Sequence, residues 1–143
     1  MTQPPAPFTC TYTPNVAELL TQLNCSIVIT TYQAGKLIFL SPDGMNVMRQ
    51  LPRDFEKAMG LTINGDRMAI AIKDEVVVLS NAPMLAKEYP VKPDFYDAFF
   101  VPRAVYYTGA VDIHDLDWGK DGKLWAVNTL FSCLITIDDT YSF

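Results

Sequence analysis

At 143 residues with a formal net charge of −5, the chain is about one domain long and acidic, and its few Lys and Arg are scattered, which argues against nucleic acid as a partner. Half of the residues are hydrophobic and 12% are aromatic, a composition that excludes intrinsic disorder. The longest apolar runs, such as Glu75 to Leu79, are strand-length, so no membrane span is expected.

Residues 1–12 read as a flexible lead-in, because Met1 to Pro7 has neither a basic n-region nor an apolar core of the signal-peptide kind. Residues 13–143 form the domain. A helix is expected over 14–23: Thr13 can cap it, Pro14 suits the first turn, and Val16, Leu19, Leu20 and Leu23 recur at helical spacing before Asn24 ends it.

From residue 25 the texture changes to short β-rich runs separated by turn residues. The expected strands are Ser26 to Thr31, Lys36 to Leu40, Asn46 to Leu51, Met59 to Ile63, Met68 to Ile72 and Val76 to Leu79. They resume as Ala104 to Tyr107, Ile113 to Trp118, Leu124 to Val127 and Leu134 to Ile137. Turns fall at Ala34-Gly35, Pro42-Asp43-Gly44, Asn64-Gly65-Asp66 and Lys120-Asp121-Gly122. Between Asn81 and Pro102, prolines and aromatics suggest an outer strand near Lys87 to Val91 and then a long loop.

These runs repeat. Leu61 to Ile70 aligns with Leu116 to Val127 as strand, Gly/Asp turn and strand, each followed by another apolar strand, and Ile27 to Leu40 matches the second half of the unit. A period of roughly 40 to 55 residues is that of four-stranded propeller blades. The expected fold is therefore all-β: a partial β-propeller of about two and a half to three blades behind a short N-terminal helix. A single β-sandwich is the alternative.

Thr31-Tyr32-Gln33-Ala34-Gly35-Lys36-Leu37, Met59-Gly60-Leu61 and Val111 to Trp118 resemble an uncharacterised, mostly bacterial family, known only as a conserved hypothetical protein or domain of unknown function. The resemblance covers Thr13 to Phe143. It implies a propeller-like fold in a parent chain well over twice this length and supplies no activity. On that reading the chain is an N-terminal fragment whose open edges lead it to self-associate or to need the missing propeller half.

In such a fold, Gly109 to His114, Tyr32-Gln33, Lys73-Asp74 and Asn128-Thr129 converge on one face. His114 is the only histidine, and strand alternation groups it with Asp112 and Leu116, opposite Ile113, Asp115 and Asp117. Asp112 and His114 can thus ligate a divalent metal or form an acid–base pair, although a metal site needs three or more ligands. Their bland role is a hydrogen bond that ties strands together.

Tyr32, Gln33 and Lys36 offer a phenol, an amide and an ammonium around a glycine, a set suited to a small polar ligand such as a sugar or carboxylate. Asn128 and Thr129 add hydrogen-bonding groups or simply begin a turn. Trp118 and Trp125 are expected to pack between blades, and Asp138-Asp139 to form a solvated turn.

Three widely spaced cysteines, Cys10, Cys25 and Cys133, contain no CxxC pair and fit a reduced, cytoplasmic protein. Two functions follow: a binding module with a ligand or protein partner, or a metal-dependent hydrolase or lactonase using His114 and Asp112.

Overall fold

The computed structural model describes residues 9–90 and 92–141. Most of the expected lead-in, and Ser142 and Phe143 at the other end, lie outside them. Within the lead-in, the Tyr12 hydroxyl accepts the Met48 N–H at 3.2 Å, which ties the entry of the helix to the first sheet.

Helix α1 spans Asn15–Leu23, and Asn24 closes it in the left-handed conformation that asparagine tolerates. Thr13 does not cap it through its side chain; its carbonyl accepts the Val16 N–H at 3.0 Å instead. The buried residues are Ala17 and Leu20, whereas Leu19 and Leu23 are exposed. The expected four-residue stripe overstated the buried face, which is narrow because the helix meets essentially one strand.

Among the described residues, ten antiparallel strands follow in three sheets. The first contains β1 (Ile27–Thr31), β2 (Lys36–Pro42) and β3 (Met48–Asp54). The second contains β4 (Leu61–Asn64), β5 (Arg67–Ala71), β6 (Glu75–Asn81) and β7 (Phe100–Tyr107), and the third β8 (Ile113–Trp118), β9 (Leu124–Asn128) and β10 (Cys133–Ile137). Each strand pairs with its sequence neighbour, as turn-linked hairpins dictate. The sheets do not close into a ring.

Among the described residues, one expected strand is absent. The outer strand expected near Lys87 to Val91 does not form: a short helix, α2 (Pro83–Lys87), with Pro83 at its start, ends at Lys87, Glu88 to Pro90 are turn or irregular, and Val91 lies outside the described residues. Pro90 and Pro93 remove ladder donors there, and the outer strand is β7, which begins four residues before the expected Ala104. Pro102 is tolerated because β7 is an edge strand.

The sheets stack face to face around two cores, not as a two-sheet sandwich. Alternation along β5 divides its side chains between them. Met68 and Ile70 join Leu37, Val77 and Leu79 between the first and second sheets. Ala69 and Ala71 join Val76, Val78, Leu116, Leu124, Ile135 and Ile137 between the second and third. The small alanines let the third sheet approach closely.

The second and third sheets also touch through β4 and β8. A Cβ on Gly60 would lie 2.8 Å from the Asp115 Cα and 3.0 Å from the Leu116 nitrogen, so only glycine fits there. Two of the motifs noted in the sequence, Met59-Gly60-Leu61 and Val111 to Trp118, are thus the two halves of one contact.

Beside it, Thr62 Oγ1 donates to Asp117 Oδ1 at 2.6 Å. That bond, with the Trp118 N–H, holds the Asp117 carboxyl below the ordinary carboxylate value. A depressed carboxyl stabilises the fold above its unfolded-state value and loses that contribution as pH falls through its folded value. Thr62→Val should raise the Asp117 titration midpoint toward the ordinary one, as followed by carboxyl chemical shifts; an unchanged midpoint would show that this bond is not formed.

Candidate functional site

The predicted loops are joined along one face by a belt of backbone hydrogen bonds. In the β1–β2 turn, the Gly35 N–H donates to the Tyr32 carbonyl at 3.3 Å, and the Gly35 carbonyl accepts the Phe55 N–H at 2.9 Å. Gly35 has φ +58, a left-handed conformation in which a side chain is strained, so this turn favours glycine. Next along the belt, the Lys73 N–H donates to the Glu56 carbonyl at 3.0 Å, and their side chains form an ion pair at 3.0 Å. The Glu56 carboxylate raises the Lys73 ammonium above its usual value through the side-chain hydrogen bond of that pair and through its charge.

The belt continues from Asp74, whose carbonyl accepts the Thr108 N–H at 2.9 Å. It ends where the Asp112 carbonyl accepts the Thr129 N–H at 3.1 Å and its hydroxyl, and the Val111 carbonyl accepts the Leu130 N–H at 3.3 Å. Loops more than ninety residues apart in the chain therefore share one rim, as expected from the repeat.

Individual side chains behave differently. Tyr32 and Gln33 are exposed, and the Lys57 ammonium lies 5.8 Å from the Tyr32 ring centroid. Lys36 is committed to an ion pair with Asp54 on β3 and does not join them. Thr129 is exposed but its hydroxyl is held by the Asp112 carbonyl. Asn128 is 1% exposed, and its Oδ1 accepts the Phe131 N–H at 3.0 Å. It is a turn residue facing inward, the bland role weighed for it.

The strand alternation assumed for His114 does not hold. Register runs from Ile113 opposite Asn128 directly to Asp115 opposite Val127, so His114 is the extra residue of a bulge. Ile113 and Leu116, three apart, both enter the core, whereas Asp112 and His114 are exposed. Asp112 itself adopts φ 52, outside the strand. The sequence did carry a signal for the bulge: Ile113 and Leu116 are an odd number of residues apart, so strict alternation cannot bury both. Among the described residues, no three of His, Cys, Asp or Glu are grouped so as to hold a metal ion.

The tryptophans divide. Trp118 packs against the core between the second and third sheets, under the Arg67 guanidinium at 4.1 Å from its ring centroid. Trp125 does not pack between sheets; it lies 41% exposed on the outer face of the third. Asp138 forms the expected turn, accepting the Thr140 and Tyr141 N–H groups at 2.8 and 3.0 Å, and these bonds hold its carboxyl below the ordinary value.

An all-β chain of stacked, sequentially wound sheets with one hydrogen-bonded loop rim is the class that fold and site define. The family described as a domain of unknown function, DUF4915, matches residues 14–143, and the chain belongs to it. No curated protein and no solved structure matches. Among the described residues no helix is long and apolar enough to cross a membrane.

Proposed function

We propose that the chain is a propeller-type binding module whose loop rim presents a surface to a small polar ligand or a protein. The three sheets would be successive blades. In this reading β4 and β8 are innermost strands, and β1, β2 and β3 correspond to the second, third and fourth strands of a blade. Two and a half four-stranded blades account for ten strands. The observation that carries the reading is the hydrogen-bonded rim from Tyr32 to Thr129, which fixes a backbone frame while leaving Tyr32, Gln33, Asp112 and His114 at its surface. A reduced, cytoplasmic setting is supported by three cysteines that form no disulfide.

The module should show a ligand-dependent rise in melting temperature across a panel of sugars and small carboxylates. Tyr32→Ala and Gln33→Ala should each abolish that shift without lowering the melting temperature of the free protein. A shift that survives both changes would remove the rim from the binding surface. The metal-dependent hydrolase alternative requires a further ligand beside Asp112 and His114, and nothing in the geometry favours it.

A further inference from the structure

We propose that a cleft between the second and third sheets is a second binding site, which takes a small zwitterion of the amino-acid type with an apolar side chain. It lies at the far end of the strands from the loop rim. β5 runs from Arg67 at the cleft toward the Lys73-Asp74 turn on the rim, and β9 runs from Leu124 at the cleft to Asn128 on the rim.

The cleft has a volume of ≈ 210 Å³. That falls below the roughly 300–1,000 Å³ typical of sites for drug-sized ligands, so the occupant is small. Val78, Leu124 and Ile137 line the cleft and belong to the core between these sheets, which gives it an apolar base. Trp118 forms part of the wall, and its indole N–H is buried without a hydrogen-bond partner among the described residues. An acceptor bound to it would remove the cost of that unmade bond.

The polar groups divide by charge. Arg67 and Lys123 bring two cations, and among the described residues neither has a carboxylate within ion-pair distance. Arg67 is instead laid over the Trp118 ring, which holds the guanidinium at the cleft. Asp138 and Asp139 bring two anions, each fixed through one oxygen. Asp138 Oδ1 accepts the Thr140 and Tyr141 N–H groups, and Asp139 Oδ1 accepts the Tyr106 hydroxyl at 3.3 Å. Burial, and then the Asp139 charge, raise the Tyr106 hydroxyl above its usual value, so it keeps the proton it donates.

This pattern selects the ligand. A simple carboxylate would be drawn by Arg67 and Lys123 but would face both aspartates, and a simple amine would face both cations. A molecule with one group of each sign satisfies the two sides at once. Its carboxylate takes the planar fork of Arg67, its ammonium takes the second oxygens of Asp138 and Asp139, and its side chain rests on the apolar base.

Titration of the chain with L-leucine, followed by amide and indole NMR spectra, should give saturable shifts at Arg67, Trp118, Lys123 and Asp139, with smaller ones from Tyr32 to Lys36 on the rim. Isocaproate and isopentylamine, the leucine analogues that lack the ammonium and the carboxylate, should each bind at least about tenfold more weakly. Arg67→Met, which keeps an apolar stem over Trp118, and Asp139→Asn should each raise the leucine dissociation constant at least about tenfold, the size of losing a charge-assisted hydrogen bond. Both residues are exposed, so the free variants should keep the spectrum of the folded chain. No saturable shift with leucine, either analogue binding as tightly as leucine, shifts confined to the rim, or an affinity unchanged in both variants would each overturn the proposal.

Discussion

Gly60→Ala is expected to lower the free energy of unfolding by about 3 kcal/mol, the upper end of what forcing one extra carbon into a packed site costs. The added methyl would meet the Cα and carbonyl carbon of Asp115 and the nitrogen of Leu116, at 2.8, 3.0 and 3.0 Å. These are backbone atoms of a paired strand, and no rotamer change moves them aside. Relief requires β8 to move away from β4, and that movement has two further costs. It pulls Asp117 from Thr62, and it opens the core in which Leu116 packs against the alanines of β5. Urea denaturation measures the loss directly. A midpoint equal to that of the wild type would mean that β4 and β8 do not approach as described.

Ile70→Ala is the second large effect, expected at about 2–5 kcal/mol. Ile70 is completely buried in the core between the first and second sheets, and its neighbours Ala69 and Ala71 are buried on the other side of the same strand. With both faces of β5 covered, the backbone has no free side toward which to relax, so the cavity remains. Ile63 supplies the internal control: the same residue type on the adjacent strand β4, but exposed. Ile63→Ala should cost about 1 kcal/mol or less, since much of that side chain already contacts water. Equal losses at the two positions, measured by the same denaturation, would contradict the assignment of β5 as a doubly covered strand.

What could be read from residues alone was the part governed by short-range chemistry. Hairpins announced by Ala34-Gly35, Asn64-Gly65-Asp66 and Lys120-Asp121-Gly122 appear where expected, because a tight turn restricts which residues can occupy it. Asn24 ends the helix for the same reason.

The misreadings share a different cause. At Lys87 to Val91, a strand was expected in a stretch of prolines and aromatics, while the helix start at Pro83 and the prolines at 90 and 93 decided the outcome. At His114, alternation was assumed although Ile113 and Leu116, three apart, can both reach the core only through the bulge. Leu19 and Leu23 fit a helical stripe, yet only one strand was there to receive it.

For the candidate site, the convergence of loops was legible because the repeat fixes which turns share a rim. The roles of Lys36 and Asn128 were not, because Asp54 and Phe131 come from outside the motifs that drew attention to them.

The strictly sequential order of strands has a consequence for how the chain reaches this structure. Within each sheet, pairing joins only consecutive strands, so most closures span a turn of a few residues. The single wide gap, from β6 to β7, costs little more than the others, because closure entropy grows only with the logarithm of loop length. Distant parts of the chain need meet only when finished sheets dock. The molecule is thereby assembled from neighbourhoods, and long-range search is confined to the two seams between them.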